Sequence, residues 1–173
     1  MLTQLTAVNS LAQQHKPSQY EVEAVYLYDF GKFVRWPAEQ NAAPLEICIA
    51  GEDPYGDALQ KVIAGETING RQLAVRRVTR PEDEQECSIL FINSSQKAHL
   101  AATLAAVAGK PVLTVSEIPD FLDRGGMVQF QVVSNRVRFS VNLAATSLSH
   151  LSLSSELLKV ALSVTGTPDG GLR

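Results

Sequence analysis

The stretch SILFINSSQKAHLAATLAAVAGKPVLTV, Ser88 to Val115, decides how the chain folds. SILFIN is an almost continuous apolar run of strand length, SQKAHLAATLAAVAG reads as a helix closed by Gly109, and Pro111 leads into a second strand, VLTV. A strand, a helix and a strand in this order form the crossover unit of a parallel sheet, whose strands are buried on both faces and so lack polar alternation. Upstream, LEICIA (Leu45 to Ala50) is another such run, followed by Gly51 and by Asp53 and Pro54, placed as N-cap and first residue of a helix. Gly65 and the Asn69-Gly70 pair break that helix before RQLAVRRV.

Further out, Val22, Val25, Tyr26, Phe30, Phe33 and Val34 fall at helical spacing, which predicts an amphipathic helix from Gln19 to Trp36 ended by Pro37. Downstream, Ser116 to Asp123 reads as a short helical turn. Gly125 and Gly126 are suited to positive φ at its exit. MVQFQVV and RVRFSV, joined across Ser134 and Asn135, then form an antiparallel hairpin. Two closing helices are expected around Leu143 to Ser149 and Ser154 to Val164.

The fold class expected is therefore a three-layer α/β/α single domain with a largely parallel central sheet and a C-terminal antiparallel hairpin at one edge. The domain is placed at residues 19–165, between a flexible segment 1–18 and a disordered tail 166–173.

With 173 residues, 45% of them hydrophobic and 19% charged, the chain is long enough for one sizeable core. Fifteen Lys and Arg against 18 Asp and Glu leave no basic face for phosphate backbones, so nucleic acid is not an expected partner. No apolar run approaches the roughly 18 to 20 residues of a membrane helix. The start, MLTQLTAVNSLAQQHKPSQ, lacks a basic segment followed by an apolar one, so no intact export signal is expected there.

Catalytic motifs do not assemble. GEDPYG (Gly51 to Gly56) lacks the Gly-Lys-Ser/Thr of a phosphate loop and reads as a helix cap. Asn93 stands where a phosphoacceptor receiver would carry Asp. No GxSxG elbow occurs, and His15, His99 and His150 have no metal-binding spacing. Glu82, Asp83, Glu84 and Glu86 read as a solvated charged loop. Neither a metal nor a cofactor is expected.

Open α/β sheets bind ligands beyond the carboxyl ends of their strands, which here carry Asp53, Asn93, Ser94, Ser116 and Glu117. With Arg35 and His150 these residues make up a candidate small-ligand site. The only cysteines, Cys48 and Cys87, fall on strands that are neighbours in a 2-1-3 order, where a bridge and a pair of buried thiols are both open.

Several stretches together resemble the YfiR-like family of bacterial regulators. They are AVYLYDFGKFVRWP (Ala24 to Pro37), ICIAGEDPYG (Ile47 to Gly56), CSILFINSS (Cys87 to Ser95), VLTVSEIPDFLDRGGMVQF (Val112 to Phe130), VRFSVNLAA (Val137 to Ala145) and LSLSSELLKVA (Leu151 to Ala161). The resemblance runs in one order over about Tyr20 to Val164. It implies a non-enzymatic periplasmic protein that binds the periplasmic sensor region of a membrane-bound diguanylate cyclase and represses it. It further implies an outer-membrane lipoprotein as a second partner and release by envelope or redox signals. Cys48 and Cys87 match a cysteine pair that family members carry on these two strands, so a disulfide is expected, while a second pair found in some members near the Gly-Gly hairpin is missing. Because the family is exported, the absent signal is read as lost from this sequence. A homodimer is expected from the sheet edge that the hairpin would leave unpaired.

Overall fold

A computed structural model describes residues 15–40 and 43–166. Most of the segment 1–18 and of the tail 166–173 thus lies outside the described residues.

Helix α1 (Gln19–Phe33) starts at a capping box: Ser18 Oγ accepts from the Glu21 amide at 3.2 Å, and the Glu21 carboxylate accepts from the Ser18 amide at 2.6 Å. It ends three residues earlier than the sequence pattern predicts. Val34 turns extended, and the two-residue strand β1 (Val34–Arg35) pairs with Leu153 and Ser152 far along the chain. Long-range pairing rather than Pro37 sets this boundary.

Strand β2 (Leu45–Ala50) is followed by α2 (Ala58–Ile63), which begins four residues later than expected, after Asp57. Asp53 is not its cap: the carboxylate accepts from the Tyr55 amide at 2.9 Å, closing a local turn instead. Asn69 and Gly70, at φ 51° and 76°, make the tight turn of a hairpin between β3 (Thr67–Ile68) and β4 (Arg71–Val78), beyond the end of the helix. Short α3 (Pro81–Glu84) leads to β5 (Ile89–Ile92). The helix expected from Ser95 begins instead as a 3₁₀ segment, Ser94–His99, and becomes α4 (Leu100–Val107) only afterwards.

Strand β6 (Leu113–Ser116) is followed by turns rather than a helical segment up to Gly125. Then come β7 (Val128–Val133) and β8 (Arg136–Asn142), whose connecting residues Ser134 and Asn135 both have positive φ. The two glycines before the hairpin serve different ends. Gly125 takes φ 99°, but Gly126 does not have positive φ; a Cβ there would run into the Phe121 ring. The chain closes with α5 (Leu143–Leu148), β9 (Ser152–Leu153), α6 (Ser155–Val160) and β10 (Ser163–Thr165). Where the second closing helix was expected to run on to Val164, β10 turns back onto the sheet.

The eight-stranded sheet has the order β10-β8-β7-β6-β5-β2-β4-β3. Pairing is parallel from β4 through β2, β5 and β6 to β7, and antiparallel in the β7–β8 hairpin. This is the expected α/β sheet with its hairpin at one end. The premise of the dimer expectation fails, however, because β10 runs parallel to β8 and covers the hairpin's outer edge.

One face of the sheet packs Leu27 and Phe30 of α1 on Ile47, Ile49, Phe91 and Phe139, all fully buried. The other packs Leu100 and Phe121 on Cys48, Leu90 and Ile92. Cys48 and Cys87 are bonded, with Cα atoms 5.8 Å apart, and tie the middle of β2 to the entry of β5.

Candidate functional site

At the carboxyl ends of the parallel strands, the residues singled out in the sequence are engaged by their own neighbours. Asp53 holds Arg77 at 2.6 Å as well as the Tyr55 amide. Asn93 caps the 3₁₀ segment through the Ser95 amide at 2.9 Å. Buried Ser116 donates to the Ile92 carbonyl at 2.6 Å and accepts from the Ile118 amide at 3.0 Å. Ser94 is exposed. These contacts satisfy the polar groups and hold the loops in place.

Sequence reasoning missed the feature that organises this end of the molecule. Glu23 lies on the buried stripe of α1, four and seven residues before Leu27 and Phe30, and is itself fully buried. Its carboxyl accepts from Gln19 Nε2 at 2.9 Å and from the Tyr55 hydroxyl at 3.3 Å. Gln19 Nε2 also donates to Glu117 at 3.3 Å, so one amide bridges two carboxyl groups. Among the described residues, neither Glu23 nor Glu117 has an ion-pair partner. Burial pushes Glu23 up to about 7, and the neighbouring Glu117 adds to the rise, against the hydrogen bonds from Gln19 and Tyr55. Burial also raises Glu117. A glutamate at a core-facing position of a helix is the signal that could have revealed it.

Arg35 lies at the opposite end of the sheet. With Lys32, Trp36, Asn69 and Arg71 it lines a cavity of about 330 Å³ beside the first residues of β2 and β4. Arg71 is largely buried, and its guanidinium donates to the Ala43 and Pro44 carbonyls at 2.7 and 3.2 Å. Trp36 Nε1 donates to the Ser88 carbonyl at 3.2 Å, fixing the indole in the wall. His150, exposed at φ 59°, precedes β9, whose Ser152 pairs with Arg35. The candidate ligand residues therefore divide into two groups: Arg35 and His150 by the β1–β9 ladder, and the five strand-end residues at the other end.

A third region is apolar. Val25 of α1 and Val132 and Val133 of β7 are exposed at 46%, 54% and 40%. Two grooves of about 410 Å³ each flank the first turns of α1 and share Pro17 and Val22. One lies against Val132 and Val137, the other against Ala58 and Val62 of α2, with Glu21 and Lys61 at its rim. Apolar surface of this kind with a charged rim suits a protein partner. No helix among the described residues is long and apolar enough to cross a membrane.

Comparison with known proteins adds two findings. The model of the family described as YfiR/HmsC-like matches residues 20–162. A solved structure, a conserved domain protein from Vibrio cholerae, aligns over 86% of this chain with a TM-score of 0.57 and 11% identity. The chain spans 60% of the length of that structure, and the likeness is one of fold.

Proposed function

The chain belongs to the YfiR/HmsC-like family, and on that premise we propose that it is a periplasmic, non-catalytic regulator that binds the periplasmic sensor region of a membrane-bound diguanylate cyclase and holds the enzyme inactive. The observation that carries this reading is the family match across 20–162. The exposed valines and the paired grooves around the start of α1 support it, since they offer apolar area on a face not used by the core. An outer-membrane lipoprotein that competes for the regulator completes the proposed assembly. Co-expression of the exported chain with a membrane-bound diguanylate cyclase of the same organism that carries a periplasmic sensor region, with cyclic di-GMP as the readout, tests the reading. A fall in cyclic di-GMP is expected, and unchanged levels with both proteins present would count against it.

A second reading is favoured by the cavity at Arg35. Lys32, Arg35 and Arg71 line it, and Arg35 forms no ion pair among the described residues, which suits a small anionic molecule; a ligand preferring one state of the regulator would bias release of the partner. Thermal-shift screening with nucleotides and amino acids is expected to give a hit that Arg35→Ala abolishes; a flat screen removes this reading.

A further inference from the structure

The start of α1 rests on the carboxyl end of the sheet through a polar contact with an unusual charge balance. Four side chains from three segments meet there: Gln19 and Glu23 of α1, Tyr55 from the connection between β2 and α2, and Glu117 after β6. Tyr20 closes the cluster, its ring edge-on to Tyr55 with centroids 6.0 Å apart, and Tyr55 in turn packs on Phe91. The charged groups that bear on the cluster are Glu117 and Asp53, both acidic. Arg77 is held by Asp53 at 2.6 Å, and among the described residues neither Lys97 after β5 nor Arg124 after β6 forms an ion pair with Glu23 or Glu117. The two tyrosines are raised above their ordinary range and stay neutral. An ionised Glu23 would thus be a buried anion facing a second carboxylate with no counter-charge, whereas a neutral Glu23 keeps both hydrogen bonds without that penalty.

We propose that a proton on the buried Glu23 carboxyl, favoured by the nearby Glu117 carboxylate, latches the first turns of α1 to the sheet, and that loss of this proton loosens them. When the latch opens, Glu23 reaches water and recovers an ordinary carboxyl pKa. A group whose pKa is higher closed than open favours the closed state most at low pH. That preference is lost as pH rises from the ordinary value of 4.5 to about 7, above which both states are ionised and the dependence levels off. Acid therefore tightens the start of α1 and neutrality loosens it. Gln19 and Val22 belong to these turns and also line the apolar grooves, so the proton alters the surface on which a partner would dock. The latch itself does not depend on the proposed function; only this last consequence does.

Hydrogen exchange of the α1 amides in the whole chain, corrected for intrinsic rates, reads the latch directly. Between pH 5.5 and 7.5 the opening equilibrium of residues 19–27 is expected to rise roughly twentyfold in the wild type, from the two pKa values. Glu23→Gln, a neutral isostere, should remain protected at both pH values. Glu117→Gln, which removes only the like charge, should keep the pH dependence with its upper limit moved to lower pH. Protection of α1 independent of pH in the wild type overturns the proposal, as does a Glu23→Gln protein with the wild-type dependence. Should Glu23→Gln fail to fold, the wild type and Glu117→Gln still decide it: an upper limit unmoved in Glu117→Gln would contradict the pairing.

Discussion

Reducing the Cys48–Cys87 bond removes a cross-link between residues 39 apart in sequence, set in the most buried part of the sheet. In the chain-entropy treatment, a closed loop of that length lowers the entropy of the unfolded chain by about 13 cal/mol/K, or about 4 kcal/mol at 25 °C. The folded state should change little, since a thiol pair fills nearly the same volume between β2 and β5. The oxidised protein should thus exceed the reduced one by about 4 kcal/mol in urea unfolding, with a melting temperature higher by about 10 °C. Replacing both cysteines with alanine should cost somewhat more, because Leu90 and Ile92 on the same face then border an underfilled space. Cys48 is fully buried and Cys87 is 3% exposed, so reductant should reach the bond only through unfolding or local opening. Reduced and oxidised forms within about 1 kcal/mol of each other, or rapid reduction of the native protein, would refute this reasoning.

Other predictions follow from single contacts. Glu23→Gln should remove a cost of up to about 3 kcal/mol that the wild type carries at pH 8, so its melting temperature should exceed the wild type's there and converge with it near pH 5. Gly126→Ala sets a methyl group against the Phe121 ring and should lower the unfolding free energy by about 2 kcal/mol; an unchanged urea midpoint would contradict the close approach. Val25→Glu combined with Val132→Glu should leave the melting temperature within about 2 °C of the wild type, since both side chains are half exposed. The same pair should weaken capture of the cyclase region by at least about tenfold in a pull-down titration.

What the sequence made legible is what repeats locally. Ile47, Ile49, Leu90 and Phe91 sit in apolar runs whose short length, β-branched content and flanking turn residues mark buried strands, and the Ser134-Asn135 turn fixes the hairpin between two alternating segments. What escaped depends on partners distant in the chain. Val34 and Arg35 continue a helical pattern, yet pair with β9. Ser163 to Thr165 look like the end of a helix, yet Ser163 meets Ser140 across the sheet, with hydroxyls 2.9 Å apart. The candidate ligand residues were grouped on the rule that strand ends bind ligands, but nothing local in the sequence says that Arg35 lies at the other end of the sheet. Glu23 was overlooked because a lone acidic residue in a helix is ordinarily solvated, and only the placement of Tyr55 and Glu117 shows otherwise.

Titration of the purified periplasmic region of the candidate partner cyclase with the oxidised chain, followed by calorimetry, tests the central claim most directly. Saturable binding with a dissociation constant of about 1 μM or tighter, weakened by the Val25→Glu and Val132→Glu pair, is the result this account predicts. Two folded proteins that give no binding signal at about 100 μM would contradict it.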